Sequence, residues 1–281
     1  AMGGGRPMRL GITMFATDLT MEPHELAREA EDRGFSSLYV PEHTHIPVSR
    51  ETPSPTGPGS LPAEYARTLD PLVALAAAAA VTERITLGTG ILLPAQREPI
   101  VTAKAVATLD RLAGGRFALG IGYGWNAEEG ADHGVPWKRR RAMVREHVLA
   151  MRALWTDDET SFKGEFVDFE ASWSWPKPSG RVPVLLGGAP GPTLFAHIAE
   201  YGDGWLPVGG AGIRAALPDL RRACERAGRA TVPVIPFGTE PTPRKLDYYA
   251  TLGIEEVVLR VPSAGRDAVL PLLDGYARSY L

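Results

Sequence analysis

The chain has 281 residues and a formal net charge of −3, from 30 Lys plus Arg against 33 Asp plus Glu. This balance excludes a strongly basic nucleic-acid binder, and the single cysteine, Cys224, excludes an intrachain disulfide or a Cys-rich zinc site. The longest wholly apolar run, 72–81, falls far short of the roughly 20 residues that cross a bilayer.

Residues 1–7, AMGGGRP, read as a tag remnant or disordered lead-in. No charged-then-apolar signal segment follows, so a soluble, cytoplasmic protein is expected. From there an amphipathic stretch, a Gly and a short Val/Ile/Leu-rich run recur along the chain. The Gly suits a helix C-terminus, and the runs lack polar alternation, as strands buried on both faces do. Eight strands are predicted, at 10–15, 37–40, 85–92, 116–122, 182–187, 204–208, 232–237 and 256–261. Eight helices are predicted near 22–33, 69–82, 99–113, 138–155, 191–201, 213–227, 242–252 and 266–280. Pairs such as Leu26 and Ala30, or Leu194 and Ile198, supply the i, i+4 apolar stripe. Eight strand–helix units in about 250 residues predict an α/β fold, a (β/α)8 TIM barrel occupying 8–281 as one domain. An open doubly wound sheet is the alternative, but no phosphate loop follows the first strand.

Two segments break the rhythm. Residues 43–69, with their Pro/Gly/Ser stretch, form a loop after the second strand, either floppy surface or a lid over the active face. Residues 156–181 form an insertion before the fifth strand, with two β-like runs around Gly164 that predict a small hairpin.

In a barrel, chemistry gathers where strands end. Behind the second strand stand Glu42, His43 and His45, without the spacing or Cys partner of a metal site. A histidine at a barrel mouth suits proton transfer, although capping the strand end is the plainer alternative. His24, His147 and His197 fall on predicted helices and read as surface or packing residues. At the third strand, Thr89, Gly90 and Ile91 suggest a bulge or a close backbone approach to something bound. After the fourth, Tyr123, Gly124, Trp125 and Asn126, with Glu128 and Glu129, combine open backbone, an aromatic wall and polar handles. Such a group suits a large planar cofactor. Gly187, Gly188 and Ala189 precede a helix, an arrangement that suits an anion or phosphate. The basic run 138–141 is a solvated helix face or the receiver of an anionic tail. Trp125, Trp205, Trp173 and Trp175 suggest a largely apolar pocket.

These motifs resemble the luciferase-like flavin and deazaflavin oxidoreductases, and most closely an actinobacterial branch that uses coenzyme F420. The resemblance is carried by LYVPEH (38–43), ITLGTGILLPAQREP (85–99), LDRLAGGRFALGIGYGWNAEE (109–129), MRALW (151–155), FKGEFVDF (162–169), PVLLGG (183–188) and AEYGDGWLP (199–207). It implies a non-proline cis peptide within 89–91 behind the cofactor ring. It also implies Tyr123, Gly124 and Trp125 along the ring and ribityl chain, Gly187 and Gly188 at the phosphate, and Glu42 with His43 as an acid–His pair. Trp125 stands where deazaflavin sugar-phosphate dehydrogenases of the family place a catalytic Glu, so sugar-phosphate oxidation is not expected. The resemblance implies hydride transfer between coenzyme F420 and a small organic substrate, with His43 or His45 as acid or base. Two alternatives remain: an FMN-dependent monooxygenase fed by a partner reductase, and a non-catalytic cofactor-binding barrel. The resemblance also implies a homodimer, while the charge balance and the short apolar runs argue against nucleic-acid and membrane partners.

Overall fold

The computed structural model describes residues 8–57 and 59–281, so the expected lead-in at 1–7 lies outside the described residues. Eight parallel strands form one sheet: β1 (Arg9–Thr13), β2 (Ser37–Val40), β3 (Thr86–Thr89), β4 (Phe117–Ile121), β7 (Val184–Gly187), β8 (Gly204–Leu206), β9 (Phe237–Thr239) and β10 (Glu256–Arg260). Their order is β8-β7-β4-β3-β2-β1-β10-β9. Bridges from Trp205 to Val234 and from Val208 to Phe237 bring the two edges together. The result is the (β/α)8 barrel expected from the sequence.

The helices fall where amphipathic spacing placed them: α1 (Pro23–Asp32), α2 (Pro71–Ala79), α3 (Pro99–Leu112), α5 (Arg140–Thr156), α6 (Pro192–Tyr201), α7 (Ile213–Arg226), α8 (Pro243–Thr251) and α9 (Arg266–Tyr280). Their starts are chemically marked. Asp70 caps α2 by accepting from the amides of Leu72 and Val73, and proline opens α1, α2, α3, α6 and α8, where its missing N–H costs nothing.

Two departures have local causes. The seventh predicted strand, 232–237, is regular only from Phe237 onward, because Pro233 and Pro236 have no N–H for the ladder. The segment still runs alongside its neighbours: Ile235 donates to the Trp205 carbonyl at 2.9 Å, and Val258 donates to that of Pro236 at 2.9 Å. The loop after β4 contains a short helix, α4 (Ala127–Asp132), which hydrophobic periodicity missed. The 156–181 insertion forms the expected hairpin, β5 (Thr160–Lys163) against β6 (Asp168–Ser172).

Inside the cylinder a small apolar layer gathers Tyr39, Leu185, Leu206, Ile235, Phe237 and Val258, and a larger core lies between the sheet and its helices. A fully buried Leu, Ile or Val contributes about 1.5–3 kcal/mol. The two aromatic rings fit only because glycines stand within β3 and immediately after it. A Cβ on Gly88 would fall 2.3 Å from the Tyr39 ring, and one on Gly90 would fall 2.3 Å from Phe237. Gly88→Ala is therefore expected to destabilise the fold by about 1–3 kcal/mol through overpacking, read as a lower urea midpoint. An unchanged midpoint would mean that the Tyr39 ring has room to withdraw.

Candidate functional site

The ends of β2, β3, β4 and β7 converge on one mouth. His43, three residues beyond β2, has its backbone clamped by Thr68, whose hydroxyl accepts from the His43 amide at 3.1 Å and donates to its carbonyl at 2.8 Å. Its Nδ1 lies 2.8 Å from Glu129 Oε2, and both side chains are buried, 8% and 1% exposed. A carboxylate only accepts, so Nδ1 carries the proton and Nε2 is left as the free ring nitrogen. The rings of Tyr65 and Trp125 flank the imidazole, with centroids 5.4 and 5.9 Å away.

Glu129 owes its position to α4. Asn126 caps that helix by accepting from the Glu129 amide at 3.2 Å, which frees the Glu129 carboxylate to reach across to β2. Two buried atoms beside this bond, Glu129 Oε1 and Asn126 Nδ2, have no partner. Leaving a buried polar group unpaired costs about 1–3 kcal/mol, so these two atoms are free to take a further partner at the mouth. The signal for α4 was present in the sequence: Asn126 followed three residues later by Glu129 is a helix-start pattern.

The acid–His pair expected between Glu42 and His43 is thus formed by Glu129 and His43. Glu42 turns to a different set of partners. Its carboxylate accepts from Arg97 Nε at 2.7 Å and from the Leu93 amide at 2.7 Å. Burial pushes its carboxyl up from the ordinary value, opposed by the Arg97 guanidinium. Arg97 also holds Asp70 at 2.7 Å, so Glu42 ties the end of β2 to the β3 loop and the cap of α2. His45 is half-exposed and pairs with Asp132 at 2.9 Å on the far side of α4.

At β3, the Thr89 hydroxyl donates to the Gly120 carbonyl at 2.7 Å, and the Gly90–Ile91 peptide is cis. Ile91 then reaches between the neighbouring strand ends: a Cβ on Gly122 would fall 1.8 Å from its Cδ1, and one on Gly187 would fall 3.1 Å from its Cγ2. Gly124 and Gly188 have φ of +77° and +148°, a left-handed region that other residues rarely enter. Gly188 and the exposed Ala189 lead into α6, whose N-cap, Gly191, offers no side chain to the first-turn amides. The Tyr123 hydroxyl meets His197 Nδ1 at 2.9 Å and the Tyr201 hydroxyl at 3.1 Å on that helix. Burial, and then the nearby Arg141, holds the His197 imidazole below its ordinary value.

The basic run 138–141 divides its labour. Arg139 pairs with Glu165, Arg140 lies 4.1 Å over the Trp137 ring, and Arg141 lies 4.6 Å over the Tyr123 ring. Arg141 makes no ion pair among the described residues. The tryptophans expected to line the pocket separate. Trp125 is at the mouth, whereas Trp205 is fully buried and supports the Gly188 carbonyl through its Nε1 at 2.9 Å. Trp173 and Trp175, 77% and 56% exposed, stay with the insertion, held by Glu159 and Lys104. The aromatic neighbours of His43 are Tyr65 and Trp125 instead.

The 43–69 loop is fastened to the same short helix. Glu128 accepts from the amides of Glu51 and Thr52 at 2.8 and 2.9 Å and from the Thr52 hydroxyl. Thr44 and His133 add a bond at 2.7 Å. The loop is therefore tied to α4, and it carries Tyr65 onto His43.

The profile of the luciferase-like monooxygenase family matches residues 20–239, and the chain belongs to that family. It is similar to an uncharacterized protein of Mycobacterium tuberculosis, 46% identical over 92% of this chain and 94% of that protein. An F420-dependent glucose-6-phosphate dehydrogenase of Kineococcus radiotolerans is 34% identical over 80% of this chain and 65% of its own length. Among solved structures, a monooxygenase from Streptomyces bottropensis superposes with a TM-score of 0.78 at 20% identity, covering 98% of both chains. An F420-dependent secondary alcohol dehydrogenase superposes with a TM-score of 0.76 at 19% identity, covering 97% of this chain and 98% of its own. The chain is thus a luciferase-like oxidoreductase on a barrel that the family shares. No helix among the described residues is long and apolar enough to cross a membrane.

The Glu128 hydrogen bonds depress its carboxyl from the ordinary 4.5 to about 2, the Thr52 hydroxyl contributing most. A depressed carboxyl gives its full support above the ordinary value and loses it as pH falls toward the folded one. Exchange protection of the Glu51 and Thr52 amides should accordingly persist at pH 5 and vanish as pH approaches about 2. Glu128→Ala should remove that protection at every pH. Equal protection in the variant and the wild type would show that the latch lies elsewhere.

Proposed function

We propose that the protein is a coenzyme F420-dependent oxidoreductase that transfers a hydride between the deazaflavin and a small organic substrate. The observation that carries this reading is the buried His43–Glu129 pair at the barrel mouth, with Nε2 left free. The F420 assignment leans on the 34% identity with a named F420-dependent dehydrogenase.

The residues present fit such a group. Thr89, Gly90 and Ile91 would back the ring, and Tyr123, Gly124, Trp125 and Asn126 would border it. The unpaired buried atoms Asn126 Nδ2 and Glu129 Oε1 offer a donor and an acceptor at its edge. Gly187, Gly188 and Ala189, with the uncapped first turn of α6, would hold a phosphate, and Arg141 supplies a cation between the β4 and β7 ends. When bound, the deazaflavin supplies a ring carbon that gives or takes hydride.

The chain's own part is positional and protic. Glu129 fixes the His43 tautomer and steadies the imidazole when it is protonated, and Nε2 exchanges a proton with the substrate oxygen. Glu42 acts at one remove, holding the end of β2 through Arg97. His45 belongs to the loop that covers the mouth. Tyr65 and Trp125 exclude water from the imidazole. The homodimer belongs to the same reading, supported by the exposed Val73 and Val101 on α2 and α3.

A second reading, FMN-dependent monooxygenation with reduced flavin delivered by a partner reductase, is favoured by the family's own description as luciferase-like monooxygenases. Titrating the full chain with coenzyme F420 and with FMN separates the two. Tighter F420 binding is expected; tighter FMN binding would favour the second, and binding of neither at micromolar concentration would overturn both. On whichever alcohol or carbonyl of a substrate panel is turned over, His43→Ala should lower kcat by about 10²–10⁴-fold with cofactor affinity nearly intact. Glu129→Gln should lower kcat in the same direction. Undiminished turnover in His43→Ala would remove the histidine from the chemistry.

A further inference from the structure

Along a barrel strand, side chains alternate between the interior and the helices outside. On β10 the alternation is explicit. Glu256 accepts from the Ser37 hydroxyl of β2 at 2.8 Å, and Val258 belongs to the interior layer, whereas Val257 and Leu259 pack in the outer core. Arg260, the last residue of the strand, is the next inward position, one layer above Val258 toward the mouth. Its Cα partner is Thr13, the last residue of β1. The backbone there is fixed: the Val261 amide donates to the Thr13 carbonyl at 2.9 Å, and the Tyr276 hydroxyl donates to the Arg260 carbonyl at 3.0 Å. A cation thus stands over the layer of Tyr39, Phe237 and Val258, at the end of the cylinder where the candidate site lies. Arg260 is exposed, and its guanidinium makes no hydrogen bond or ion pair among the described residues.

Aromatic contacts link this position to His43. Phe15, two residues beyond Thr13, packs on Tyr65 with ring centroids 4.8 Å apart, and Tyr65 lies 5.4 Å from the imidazole. Burial and then Glu64 push the Tyr65 hydroxyl up from its ordinary value, and the nearby Arg260 guanidinium opposes them. Tyr65 is therefore a neighbour of both the histidine and the arginine.

We propose that Arg260 binds the substrate's carboxylate, and that the substrate is a small hydroxy acid, or the corresponding keto acid, with an apolar body. The guanidinium offers a carboxylate two parallel N–H donors, which sets the orientation of the molecule. The Phe15 and Tyr65 rings cover the apolar body, and the hydroxyl or carbonyl oxygen turns toward His43 Nε2. One uncommitted arginine matches one negative charge, which favours a carboxylate over a phosphate dianion. As a statement about the substrate, this rests on the oxidoreductase reading.

The test uses mandelate, an aromatic hydroxy acid, with its neutral methyl ester and phenyl phosphate, each titrated by calorimetry into the full chain with and without coenzyme F420. Saturable mandelate binding is expected. Arg260→Ala should weaken it about tenfold while leaving the methyl ester, the F420 affinity and the circular dichroism unchanged, and Arg260→Lys should recover part of the loss. Mandelate binding that Arg260→Ala does not change, or no saturable binding, overturns the assignment. Tighter binding of phenyl phosphate than of mandelate also overturns it, as does a loss of F420 affinity in Arg260→Ala, which would give the arginine to the cofactor. If coenzyme F420 fails to bind the wild type while the Arg260 dependence holds, the proposed cofactor falls and the carboxylate site stands. If F420 binds and the Arg260 dependence is absent, the carboxylate site falls alone.

Discussion

Closure of the sheet on itself is the constraint from which the rest follows. A parallel sheet with apolar residues on both faces has two unpaired edges and two surfaces to hide. Here the edges meet where the 205–208 segment bridges to 234–237, despite two prolines that remove ladder donors. Closure leaves an interior filled by side chains, and the large rings of Tyr39 and Phe237 belong to its buried cluster. Gly88 and Gly90 are the complement of those rings: β3 and the residue after it give up side chains so that their neighbours can keep theirs. Once closed, the barrel has every strand-to-helix loop on one end, and the site is assembled from four of them.

The mouth is organised by a short helix rather than by a strand. α4 presents Glu129 to His43 from one face and Glu128 to the covering loop from another. The contact with His43 and the anchoring of the 43–69 loop therefore come from a single element of six residues. The same arrangement explains why Glu42 and Glu129 differ in use. Glu42 is consumed by Arg97 and the Leu93 amide, while Glu129 retains an unpaired oxygen beside the imidazole.

The near-neutral net charge of −3 leaves no long-range field to draw in an anionic ligand. Local placement takes over. Of the basic run, Arg139 and Arg140 are committed to the protein, and Arg141 is left above Tyr123 between the β4 and β7 ends. Arg50 likewise makes no ion pair among the described residues, and its guanidinium lies 6.0 Å from the centre of the Trp125 ring.

Local chemistry made much of this protein legible from its sequence. Periodicity of apolar residues, prolines at helix starts and glycines at helix ends placed eight helices and most of the strands, because those signals act within a few residues. The barrel followed from counting the units, and the mouth residues followed from their position just after each strand. The pairings across loops were not legible. That His43 bonds Glu129 rather than its neighbour Glu42, that Trp205 is buried while Trp173 is exposed, and that Glu128 fastens residues 51–52 all depend on which side chains meet once the sheet has closed. Sequence spacing sets the direction of a side chain along its own element. Only the packed structure decides what stands opposite it.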